Sequence, residues 1–148
     1  MITVGTDVYK QRQFTYTGKK DHLSWEEYGV KLQFFPCTSD VYIEGTVSVL
    51  SVDDDNFKFP EGTELVSAVY DIAANKPFPV PVKVGIQHSI PLQDEKEASR
   101  LGMTFVIAST QQGPPYIFRE LSGGDYRPTS SYGEIQLTHF SRIAQIIR

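Results

Sequence analysis

The chain has 148 residues, of which 40% are hydrophobic and 22% charged, with a formal net charge of -4. That length supports one domain with a sizeable core, and the ordinary composition excludes a disordered or fibrous chain. The negative balance argues against the clustered basic face that nucleic-acid binding requires, so no nucleic-acid partner is expected.

Met1–Asp7 lacks the apolar stretch of a signal peptide, and no apolar run approaches the roughly 20 residues that span a bilayer. The expectation is a soluble, cytoplasmic protein without membrane insertion, or a secreted one if a leader has been removed. Residues 1–22 read as an N-terminal extension of a single domain covering 1–148. Gln13–Thr17 is a weak strand candidate, and Lys19-Lys20 reads as a solvated turn. Val30, Leu32 and Phe34 alternate with Lys31 and Gln33, as expected of a half-buried strand. Cys37 is the single cysteine, which leaves no intramolecular disulfide and no cysteine-based zinc site, and nothing local pairs it with a base. Val41, Ile43, Val47 and Val49 repeat the alternation, with Glu44, Thr46 and Ser48 facing outward.

Asp53-Asp-Asp-Asn56 reads as a solvated hairpin, because it lacks the glycine and distal glutamate of a calcium loop. Pro60-Glu-Gly62 and Asn75-Lys-Pro77 are further turns, on either side of a strand candidate at Leu65–Ile72. The clearest strand is Val80–Ile90, which sets Val80, Val82, Val84, Ile86, His88 and Ile90 on one face. Gln93–Leu101 is the one helical-looking stretch, with a single exposed turn or a loop as alternatives. Strand candidates resume at Met103–Ala108, Tyr116–Leu121, Glu134–Leu137 and Arg142–Ile147, with turns at Gln112-Gly-Pro-Pro115 and Ser122-Gly-Gly-Asp125. Many short strands with regular turn signals specify an all-β fold, an antiparallel β-sandwich.

Ligand-binding signals are sparse. His22, His88 and His139 are far apart, so no metal site is expected, and no glycine-rich phosphate loop follows a strand. No cofactor is implied. A carbohydrate-binding role finds no exposed aromatic platform in the sequence.

Phe59–Ile72, Pro79–Ile90 and Ser131–Ile147, together with Leu23–Leu32, resemble the ZU5 family in order and spacing. The second of these is similar to the family's Pro-Val-x-Val-x-Ile-x-His strand. Where family members often carry a Pro-Pro-Gly-Ala-like turn, this chain has Phe35-Pro-Cys-Thr-Ser-Asp40. The resemblance implies a β-sandwich of the kind found in ankyrins, netrin receptors, tight-junction scaffolds and death-domain proteins. With no room for an accompanying UPA or death domain, the chain resembles a stand-alone or excised copy, free-standing copies being typical of invertebrate proteins. The implied function is a non-catalytic protein-interaction or assembly module with protein partners, in homo- or hetero-assembly.

One motif carries chemistry. Thr138-His139-Phe140-Ser141 resembles the His-Phe-Ser sequence at which some ZU5-containing proteins cut their own backbone. Ser141 would attack the Phe140 carbonyl, converting the amide to an ester that water hydrolyses. His139 would act as base or orienting group, since an imidazole titrates near neutrality, and the Phe140 ring would anchor the bond. Ile135 and Leu137 set an odd-numbered apolar face that Ile143 and Ile147 keep, whereas Phe140, Ala144 and Ile146 are apolar on the even one. That phase change points to a bulge or tight bend around His139–Ser141. The alternative is an inert closing strand with a core histidine. Even with cleavage the protein would act once on itself and would not be an enzyme.

Overall fold

A computed structural model describes residues 8–51, 56–109 and 115–148. The acidic turn at 53–55 and the loop at 112–114 lie outside the described residues. The protein is an all-β sandwich of antiparallel sheets. Its strands are β1 Val8–Tyr16, β2 Asp21–Trp25, β3 Val30–Phe34, β4 Ile43–Leu50, β5 Phe57–Lys58, β6 Glu64–Leu65 and β7 Val69–Ala74. They continue as β8 Val82–Gln87, β9 Thr104–Ala108, β10 Tyr116–Ile117, β11 Arg119–Leu121, β12 Asp125–Tyr126, β13 Tyr132–Leu137 and β14 Arg142–Ile147. The larger sheet runs β1-β4-β7-β14-β9-β11, with β6 also pairing with β14, and the smaller runs β12-β13-β8-β3-β2. Of the readings open for 93–101, the single turn is the one found, α1 at Glu97–Arg100.

The alternating strands pack as their patterns demand. Val30, Leu32 and Phe34 from the smaller sheet, with Val82, Val84 and Ile86, meet Phe14, Tyr16, Val47, Val49, Tyr70, Ile72 and Ile143 from the larger one. Phe78, from the connection between β7 and β8, plugs the end of this core. Its ring centroid lies 5.3 Å from that of Tyr16, 6.0 Å from Phe34 and 5.2 Å from Phe140. Ser48, expected to face outward into solvent, is buried, because β4 is an inner strand and the Gln11 amide donates to its hydroxyl over 3.1 Å.

A second core covers the opposite face of the larger sheet. Here a two-stranded parallel ribbon of β5 and β10 lays Phe57, Phe118 and Phe59 over Leu50, Val69, Val106, Ala144 and Ile146. The phase change read from Ala144 and Ile146 therefore has two sources. The chain bends at 138–139 as it passes from the smaller sheet to the larger, and β14 is then apolar on both faces because both are covered. The ladder irregularity sits opposite, at 66–68, where the Ser67 hydroxyl accepts from the Gln145 N–H at 2.8 Å and Val66 N–H donates to the Gln145 carbonyl at 2.9 Å.

Polar ties join the two sheets. Gln145 is fully buried, and its Nε2 donates across the sandwich to the Ile86 carbonyl at 2.7 Å. The Tyr70 hydroxyl donates to the Tyr28 carbonyl at 2.5 Å, and burial raises its pKa well above the usual tyrosine range. His88 is buried as the apolar face of Val80–Ile90 implied; its Nδ1 accepts from the Ile90 N–H, and burial lowers its pKa, favouring the neutral ring.

Candidate functional site

His139, Phe140 and Ser141 lie on the crossover that joins β13 in the smaller sheet to β14 in the larger. A second crossover, from β7 to β8, runs beside it. Phe78 N–H on that neighbour donates to the Thr138 carbonyl at 3.3 Å, and Ile72 N–H donates to the Ser141 carbonyl at 3.2 Å. The segment is thus pinned by backbone hydrogen bonds on both sides of the Phe140–Ser141 bond. The Phe140 ring meets Phe78 edge to face, at an interplanar angle of 75°.

The three side chains face different surroundings. His139 is exposed, while Phe140 and Ser141 are half-buried. Among the described residues no hydrogen bond joins the His139 ring to the Ser141 hydroxyl, and no non-glycine residue has a positive φ. The crossover carries no left-handed backbone strain. A cleft of about 200 Å³ on one side is bounded by Asn75, Lys76 and Pro77 with Thr138, His139 and Phe140. A larger one of about 490 Å³ on the other is lined by Ile107, Ile117 and Arg119 with His139, Phe140 and Ser141.

The larger cleft follows from the fold. Ile107 and Arg119 are cross-strand partners on β9 and β11, on the same face as the core residues Phe105 and Ile143. Ile107 remains only half-buried there. Along the β10–β11 segment, Tyr116 and Phe118 turn toward the second core, so alternation turns Ile117 outward. Ile117 is 67% exposed and, with Tyr42, is one of two large hydrophobic side chains left exposed among the described residues. Arg119 and His139 are the cleft's ionisable side chains, and no acidic residue lines it among those described.

Behind Ser141 the chain turns Arg142 to the opposite face, where its guanidinium lies 3.8 Å from the centre of the Tyr116 ring. Asp71 stands opposite Arg142 in the ladder. Asp71 Oδ1 and Arg142 Nε and Nη1 are buried without a hydrogen-bond partner. Burial pushes the Asp71 carboxyl above its ordinary range, and Arg142 draws it part of the way back.

Sequence reasoning located the contiguous trio but not Ile107, Ile117 or Arg119, which meet it only through strand pairing. The one available signal was Ile117 itself, an apolar residue out of phase between two aromatic ones. Among the described residues no group of metal-ligating side chains gathers, and no helix is long and apolar enough to cross a membrane. In comparison with known proteins, the chain matches no family model and no curated protein sequence.

Proposed function

We propose that this chain is a ZU5-like, non-catalytic protein-interaction module that engages a partner protein through the cleft beside the crossover. The observation that carries this reading is Ile117, two-thirds exposed at 67% beside half-buried Ile107 and Phe140 on a rigid sandwich. An aliphatic side chain held out on an ordered strand next to a concave apolar wall is an anchor for another protein. Among the described residues β11 is the edge strand of the larger sheet on the cleft's side, and its outer edge supplies backbone groups for strand pairing alongside it. Ile117→Asp removes the apolar anchor and adds a charge. Losing the burial of one isoleucine corresponds to about 2 kcal/mol, so binding should weaken roughly thirtyfold or more. Thermal stability should barely move, because the side chain is exposed. The check is recovery of co-purifying proteins by quantitative mass spectrometry, wild type beside the variant. Equal recovery from both would remove the cleft from the account.

A second reading, single-turnover self-cleavage between Phe140 and Ser141, is favoured by where that bond lies. It sits between two clefts open to water, with Phe140 clamped by Phe78, and β14 beyond it is paired on both sides. A cut there would leave the closing strand held in place. The expected result under this reading is loss of a fragment of about 1 kDa in a denaturing intact-mass spectrum, abolished by Ser141→Ala. Full mass in both proteins after long incubation would exclude it.

A further inference from the structure

The outer face of the smaller sheet holds a trough of about 470 Å³ that neither reading above uses. Its floor is Gly85, in the middle strand of that sheet, paired with Lys31 on β3 and Glu134 on β13. A glycine in a strand interior costs stability relative to alanine, and it commonly marks a place where something must approach the backbone closely. No steric need explains this one. A Cβ at Gly85 would come no nearer than 3.6 Å to the Tyr132 ring and 3.7 Å to Lys31 Cβ, which are ordinary contacts.

The walls are polar and varied. His22, Gln33 and Lys83 form one cross-strand row beside the floor, and Ser24 and Glu134 stand on the row through Gly85. Lysine ammonium groups and the Gln33 amide donate; Glu134, Ser24 and the Gln33 carbonyl accept. The ionised lining residues are close to balanced. Lys20, Lys31 and Lys83 stand against Asp21 and Glu134, and Lys31 is further neutralised by Glu26 at 3.6 Å. Neither Tyr42 nor Ile117, the large exposed hydrophobic side chains among the described residues, lies in the trough. A near-balanced set of donors and acceptors around the Gly85 peptide disfavours an anion, which would meet two carboxylates, and Leu23 and Leu32 add apolar atoms to the lining.

We infer that the outer face of the smaller sheet is a binding site for a neutral polyhydroxylated ligand, a sugar ring, seated over Gly85 between Lys83 and Glu134. Hydroxyl groups donate and accept at once, so one ring satisfies both kinds of wall. The Lys31 stem and the Tyr132 ring, with the ammonium 4.1 Å from the ring centre, close one end. The site lies on a different face from the crossover cleft and stands or falls independently of it.

The test is titration of the isotope-labelled full chain with glucose, galactose, mannose and N-acetylglucosamine, followed by amide chemical shifts, with inorganic phosphate as comparator. A neutral sugar should shift the amides of Leu32, Val84, Gly85 and Ile135, and phosphate should not. Gly85→Val fills the floor and should abolish those shifts. Gly85→Ala should fold at least as stably as the wild type. Lys83→Met leaves the floor open but removes one donor, which should weaken binding about tenfold. Two results overturn the inference: no sugar shifts these amides, or phosphate shifts them as strongly as any sugar.

Discussion

Phe78→Ala is expected to lower the unfolding free energy by about 3–5 kcal/mol, the range for deleting a buried aromatic ring. The residue belongs to a connection rather than a strand, yet it is only 4% exposed. It lies between Tyr16 of the larger sheet and Phe34 of the smaller one and supports Phe140 from below. Those rings are fixed on strands and on the β13–β14 crossover, so the space cannot collapse without moving both sheets. Most of the cavity cost should therefore persist. Urea unfolding checks this: the midpoint should fall with little change in slope. A loss under about 1 kcal/mol would mean that Phe78 does not close the core and that Phe140 has no fixed seat.

Gly133→Ala is expected to cost about 3 kcal/mol, combining overpacking with a lost inter-sheet hydrogen bond. The glycine sits on β13 directly beneath Gln145, whose amide crosses the sandwich to Ile86. A methyl there would overlap Gln145 Oε1 and come within 2.8 Å of the Tyr126 ring. Neither neighbour can retreat easily: Gln145 is fully buried on a strand paired on both sides, and Tyr126 stacks on Phe105 at 5.7 Å. The double variant Gly133→Ala/Gln145→Ala should lose less than the sum of the two single losses, because one overlap disappears. Additive losses would contradict this packing.

These two positions also mark how far the sequence speaks for itself. β3 and β8 were legible because Val30, Leu32 and Phe34 or Val82, Val84 and Ile86 alternate with polar or glycine neighbours, and β4 because Ile43, Val47 and Val49 keep one phase although its end is buried on both faces. β2 was missed because only Leu23 and Trp25 carry its pattern, and β12 because two residues hold no period. Leu65–Ile72 read as one strand, but Val66–Ala68 interrupts it, where a side-chain hydroxyl replaces a ladder group. β14 looked like a phase error because the β5–β10 ribbon covers its second face, a tertiary fact with no local signature. Phe78 and Gly133 reveal their weight only when another element is laid against them. The candidate site divides the same way. His139, Phe140 and Ser141 are contiguous and could be read as a motif, whereas Ile107, Ile117 and Arg119 converge only once β9, β10 and β11 are placed.

The proposal of an interaction module turns on whether a partner protein sits on Ile117. The most direct measurement is photo-cross-linking with benzoylphenylalanine at position 117 in a native extract, mapped by mass spectrometry, with the same probe at exposed Glu61 as reference. The account predicts one discrete protein adduct at position 117, absent at position 61. Excess unlabelled wild type should compete it away, and Ile117→Asp should not. Adducts of equal yield at both positions, or none at position 117, would contradict it.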